Sequence, residues 1–215
     1  MLKKMFKREK GITGLETAII LIAFVVVAAV FAYTALSAGL FSTQKSQEAV
    51  YSGLKEAQST LELRGGVIAT AGTTGSDGTI KQISFTVSNV LGGEAIDFTE
   101  PTANTTSNNG LADTDSTNVV VINYQDEDQT ANDLYWTITK LGNADADDLL
   151  ENNERFEITI GNTSNTSGGG NLLNALSTDL TVKKTFNLEV LTPVGAVLQI
   201  ERTTPAWIDT IMNLR

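Results

Sequence analysis

The sequence predicts an α+β chain: one long N-terminal α-helix followed by an antiparallel β-sandwich. Three observations lead there. Ala18 to Tyr33 (AIILIAFVVVAAVFAY) is an unbroken apolar run of 16 residues. Thr17 to Gln44 carries no charge over 28 residues. Beyond residue 66 the apolar pattern changes from a helical period to a period of two, as expected of half-buried strands. The 215 residues suffice for one β domain of ordinary size plus such a helix.

The first element is a basic head. Residues 1–11 hold Lys3, Lys4, Lys7, Arg8 and Lys10 against Glu9, a balance of +4, so the rest of a chain of net charge −10 carries −14. Basic residues flanking an apolar segment stay on the cytoplasmic side of a membrane, which places the acidic remainder outside. An acidic body argues against nucleic acid as a partner. The chain has no Cys and no His. It therefore has no disulfide, no thiolate nucleophile and no imidazole for metal or proton transfer. No catalytic residue, metal ligand or cofactor is assigned.

The apolar run follows. About 20 mainly apolar residues cross a bilayer as a helix, and the segment is long enough, with Thr34, Ser37 and Ser42 easily tolerated. Its composition admits three readings. An ordinary secretory signal would be cut after the run, although Leu36 fits poorly at the −3 position before Ala38, and LSAG at 36–39 lacks the Cys of a lipobox. A permanent anchor would keep the whole segment. In the third reading the cut precedes the run, which then stays in the mature chain.

The third reading has a motif. KREKG at 7–11 is followed by ITGLETAIILIAF at 12–24. This resembles the class III signal peptide of archaellins, the archaeal flagellins, and more distantly that of type IV pilins. Ile12 and Gly14-Leu15-Glu16-Thr17 depart from the bacterial pilin pattern, which tilts the resemblance toward archaellins. The resemblance implies cleavage between Gly11 and Ile12 by an archaeal prepilin-type peptidase. It also implies transient membrane insertion, a membrane assembly motor, and a homopolymer on the cell surface that serves swimming. Glu16 becomes the fifth mature residue, where these families carry an acid held to meet the amine at Ile12 of a neighbour or of the same chain. The plainer reading of Glu16 is a carboxylate favoured by a helix macrodipole. An adhesive pilin built the same way is the alternative function. A membrane-anchored carbohydrate-binding or enzymatic domain is a more remote one.

Physical chemistry supports retention of the run. Dragging the head's lysines through lipid costs several kcal/mol each, so the head pins the precursor to the membrane. Once it is cut, the helix can leave lipid only for another apolar environment. Exposing about 2,000 Å² of side chain to water would cost on the order of 50 kcal/mol. Copies of the same helix are the natural acceptor, with Ile19, Ile20, Ile22, Phe24, Val26, Val27, Val30 and Phe31 expected to form the assembly surface. Val50, Leu54, Ala57 and Leu61 recur at helical spacing, and Gly65-Gly66 reads as the stop. The helix is thus expected over 12–64, apolar through 44 and an amphipathic stalk from 45.

Residues 67–215 are expected to form the outer domain. Ile83/Phe85/Val87, Leu134/Trp136/Ile138, Phe156/Ile158/Ile160, Phe186/Leu188/Val190 and Ala196/Leu198/Ile200 alternate with more polar residues, and 67–69 and 119–122 add two runs. Seven such runs suggest an antiparallel sandwich; the archaellin resemblance implies an Ig-like one. Beyond Pro205, Trp207, Ile208, Ile211 and Leu214 read as a short apolar face. The gaps are polar and hold three N-x-Ser/Thr sequons, at Asn104, Asn162 and Asn165, expected to be N-glycosylated on an external protein. Acidic clusters at Asp113/Asp115, Asp126/Glu127/Asp128 and Asp145/Asp147/Asp148 match no EF-hand loop and read as solvating, mutually repelling surface rather than Ca²⁺ ligands.

Overall fold

The computed structural model describes residues 6–90, 94–104, 106–161 and 169–214, without the side chains of 6–13, 56 and 58. It divides into two units, Met1–Ser52 and Gly53–Arg215.

Helix α1 runs from Phe6 to Gln58, 53 residues and about 80 Å at 1.5 Å per residue. None of the chain's three prolines falls within it, so no residue there lacks the N–H that the helix ladder needs. The Ser59 N–H donates to the Lys55 carbonyl at 3.0 Å and closes the last turn.

The helix stops at Gln58, not at Arg64 as the spacing predicts, and Gly65-Gly66 is not its terminator. Leu61 belongs to two patterns at once. It continues the helical series Val50, Leu54, Ala57, but it also opens the odd-numbered series Leu61, Leu63, Val67, Ala69, Ala71 of strand β1 (Leu61–Thr73). Burial decides between them. In β1, Leu61 is 4% exposed, whereas Val50 and Leu54 on the helix remain 68% and 50% exposed. Gly65-Gly66 instead forms a bulge. β1 advances from Arg64 to Ile68 while its partner β2 (Thr79–Asn89) moves only from Thr86 to Ser84. An insertion of two residues preserves strand parity, so Leu61 and Val67 face the same core. Gly65 supplies the φ of +87° that the bulge requires.

The remaining strands are β3 (Ile96–Asp97), β4 (Val121–Asp126), β5 (Thr130–Ala131), β6 (Trp136–Leu141), β7 (Leu149–Leu150), β8 (Arg155–Ile160), β9 (Thr185–Leu191), β10 (Leu198–Thr203) and β11 (Ile211–Leu214), with a one-turn helix α2 (Leu172–Ala175) between β8 and β9. All strand pairs are antiparallel. One sheet has the order β11-β1-β2-β8-β6, a second β10-β9-β4-β5, and β3-β7 is a small pair. Both large sheets feed a single apolar core, which makes a sandwich. Phe98 meets Trp136 and Phe156 edge-on at 6.0 and 5.9 Å, and Tyr124 stacks on Phe186 at 5.8 Å.

Each of the seven runs read from the sequence falls on a strand, although β4 starts at Val121, β6 at Trp136 and β10 at Leu198. The short β3, β5, β7 and β11 do not announce themselves. The segment after Pro205 ends in strand β11, paired with β1, with Ile208 and Leu214 buried and Trp207 and Ile211 exposed.

Candidate functional site

The site is the exposed length of α1. Ile, Leu, Val, Phe and Ala side chains surround its axis without a polar stripe, so no rotation about the axis could hide them against a single surface. From Gly14 to Lys55 every residue is exposed. Phe24 is 73% exposed, Phe31 70%, Ile20 67%, Ile22 62%, Ile19 59%, Val30 57%, Val26 55% and Val27 54%.

Three hydroxyls on the helix make no demand for water. The hydroxyls of Thr17, Thr34 and Thr43 donate to the carbonyls of Gly14, Phe31 and Leu40 at 3.0, 3.0 and 2.8 Å. The helix can therefore sit in lipid or among other helices with those hydroxyls satisfied. Glu16 is the single charge between Gly14 and Gln44 and is exposed, with no ion pair among the described residues. Gly11 and Ile12 lie within the span of α1.

The body gives the other candidate residues structural work. Asn104 sits in a tight turn, its Oδ1 accepting from the Thr106 and Ser107 amides at 3.2 and 3.0 Å. Asn162 and Asn165 lie outside the described residues. The acidic clusters close turns. Asp113 accepts from the Asp115 N–H, Asp145 from that of Asp147, and Asp147 from that of Leu149. Asp126 does most. Its Oδ1 accepts from the Asp128 and Gln129 amides at 2.8 and 2.9 Å, and its Oδ2 from the Tyr124 hydroxyl at 2.7 Å and Gln129 Nε2 at 3.1 Å. Burial pushes the Asp126 carboxyl up, but these bonds prevail and hold it below its usual value. Burial, and then the Asp126 carboxylate, push the Tyr124 phenol far above its ordinary range. Among the described residues no group of three or more acids is placed to hold a metal.

Sequence reasoning overlooked Glu154 and Gln129. Glu154 is buried, with its two oxygens accepting from the Asp145 and Glu151 amides. Gln129 bridges the Asp126 turn to Ser177 and Thr178. Each is a polar residue in a polar loop; Glu154 closes its own loop, three and nine residues back, whereas Gln129 reaches partners 48 and 49 residues on.

An apolar helix exposed on every face among the described residues, ahead of an acidic sandwich with its own core, defines a structural protein whose helix must be buried in lipid or among other helices. Residues 11–202 match the profile of the archaeal-type flagellins. The chain is 38% identical over 216 residues to the probable flagellin 1 of Archaeoglobus fulgidus, covering 98% of each. The solved archaeal flagellum of Methanospirillum hungatei strain JF1 superimposes with a TM-score of 0.58 at 30% identity, covering 94% of this chain and 98% of that one. The crystal structure of flagellin FlaB1 from Methanocaldococcus jannaschii shares the fold, with a TM-score of 0.51 at 11% identity over 73% of this chain and 96% of that one. The chain belongs to the archaeal-type flagellin family.

Proposed function

We propose that this chain is the structural subunit of an archaeal swimming filament, displayed outside the cell and doing no chemistry of its own. The observation that carries this reading is the apolar helix exposed on all its faces from Gly14 to Gln44. Membership of the flagellin family accounts for it, because a polymer supplies the missing cover.

The order of events follows from charge. The precursor rests in the membrane, held by the +4 head of residues 1–11. A membrane peptidase of the prepilin type cuts between Gly11 and Ile12 and removes that pin. The family match begins at residue 11, which supports this position. A membrane motor then draws the helix from lipid into a bundle at the filament axis. The transfer is almost neutral in hydrophobic terms, so close packing decides it, and the Val25–Ala29 stretch offers small, smooth side chains for that purpose. Glu16 enters the bundle with the helix, and the new amine at Ile12 of a neighbouring or the same subunit is its partner there. An ion left unpaired in that setting would be costly. The body faces outward, its acidic turns keep crowded surfaces apart, and glycan is attached at one or more of Asn104, Asn162 and Asn165, the last two too close for both to be filled.

Mass spectrometry of filaments sheared from cells tests the reading. The mature chain is expected to start at Ile12, with glycan mass on one or more of the peptides containing Asn104 and Asn162/Asn165. A surface chain starting beyond Gly39, or a soluble monomer that still carries the apolar run, would overturn it.

A further inference from the structure

A free strand edge is a template for another chain, and soluble proteins guard theirs with charge, proline, brevity or cover. Four strands bound the two large sheets: β11 and β6, β10 and β5. Three of these edges are guarded. On β6 the outward N–H of Ile138 donates to Oε1 of Glu100 at 2.7 Å, and Lys140 lies further along the strand. β10 carries Glu201 and Arg202, and the Arg202 guanidinium covers the Glu201 carbonyl at 2.7 Å. β5 is only two residues long.

Among the described residues β11 has none of these guards. Ile211–Leu214 contains neither charge nor proline. The Ala71 N–H donates to the Thr210 carbonyl at 3.0 Å, so the alternation of an antiparallel ladder turns the backbone groups of Ile211 and Asn213 away from β1. Beside them stand large apolar side chains, Ile211 at 66% exposed and Trp207 at 59%.

Charge points to the occupant. The chain beyond its basic head carries −14, so two bodies pressed together repel over most of their surface. Trp207–Leu214 holds a single charge, Asp209, and combines low repulsion with apolar area. We propose that the β11 edge, with Ile211 and Trp207, is the lateral contact through which the body meets the body of a second copy of this chain. This rests on the filament reading, which brings bodies side by side in a repeating arrangement. The contact is heterologous, as an open helical polymer requires: the edge of one copy meets a different surface of the next. Ile211 and Trp207 lose water there, and the outward groups of Ile211 and Asn213 gain partners.

The absence of native Cys makes a single introduced thiol a clean reporter. Ile211→Cys and, in the acidic turn, Glu127→Cys are labelled with a maleimide in purified filaments and in detergent-dissociated subunits. Assembly is expected to slow labelling at Ile211→Cys by about tenfold or more relative to Glu127→Cys, as an exposed thiol becomes covered. Equal slowing at the two positions would overturn the contact. Ile211→Lys is expected to give short or no filaments while the β-sheet circular dichroism of the body is retained. Full-length filaments from that variant would also overturn it. If the unsubstituted chain itself formed no filaments, the filament reading would fall instead.

Discussion

α1 and the sandwich are both rich in aliphatic and aromatic side chains, and they dispose of them in opposite ways. In the body, Trp136, Phe98 and Phe156 are 0% exposed, each covered by side chains from other strands. In the helix, Phe24 and Phe31 stay above two-thirds exposed. The difference is one of available partners. A strand with one apolar face can bury it against a second sheet of the same chain. A helix apolar on every face needs cover all round, and from Gly14 to Gln44 every residue is exposed among the described residues. Folding of the body and burial of the helix are therefore separate reactions, the first intramolecular and the second intermolecular.

The largest expected break in this comparison is Val26→Asp. A carboxylate in the middle of the apolar length must be desolvated on assembly without a partner, so filaments should vanish in electron micrographs while the body keeps its strand content. Normal filaments would mean that the helix is not buried in the assembly. Trp136→Ala should do the reverse, removing the largest fully buried side chain of the body. A loss of about 3–5 kcal/mol in denaturant unfolding is expected, with the helix left untouched. Tyr124→Phe is smaller: it removes one hydrogen bond to Asp126, and a drop of about 1 kcal/mol is expected.

The smallest effect concerns pH. The Asp126 carboxyl is held below its usual value in the fold, so it contributes stability that is present above its unfolded pKa of about 4 and is lost as pH falls through the folded value. Asp126→Asn should therefore separate from the parent chain in unfolding midpoint near neutral pH and converge with it on acidification. A gap that widened at low pH would contradict the bonding at this turn.

How far the sequence could be read depends on whether a segment's partners are local. The apolar helix is legible residue by residue from Ile19 to Phe31, because unbroken hydropathy is a property of consecutive residues. Strands such as Phe156–Ile160 are legible because alternation over several residues survives any choice of neighbour. β3, β5 and β7 are two residues each, too short to show a period. Leu61 fits a helical spacing and a strand parity equally well, so no local pattern decides between them. Gly65-Gly66 misled for a related reason: glycine ends helices and forms bulges through the same conformational freedom.

The sequence by itself determined that the chain has a membrane-grade helix beneath a basic head and an acidic sandwich beyond it, because hydropathy, charge and period are properties of consecutive residues. Only the tertiary structure decided where helix gives way to sheet, because that boundary is set by pairing Leu61 with Asn89 and burying it in a core built largely downstream. It alone placed Val67 opposite Leu214, close to the far end of the chain, and so left β11 as an open edge. Contacts between residues so far apart depend on which surfaces the fold leaves uncovered, and no local pattern encodes that.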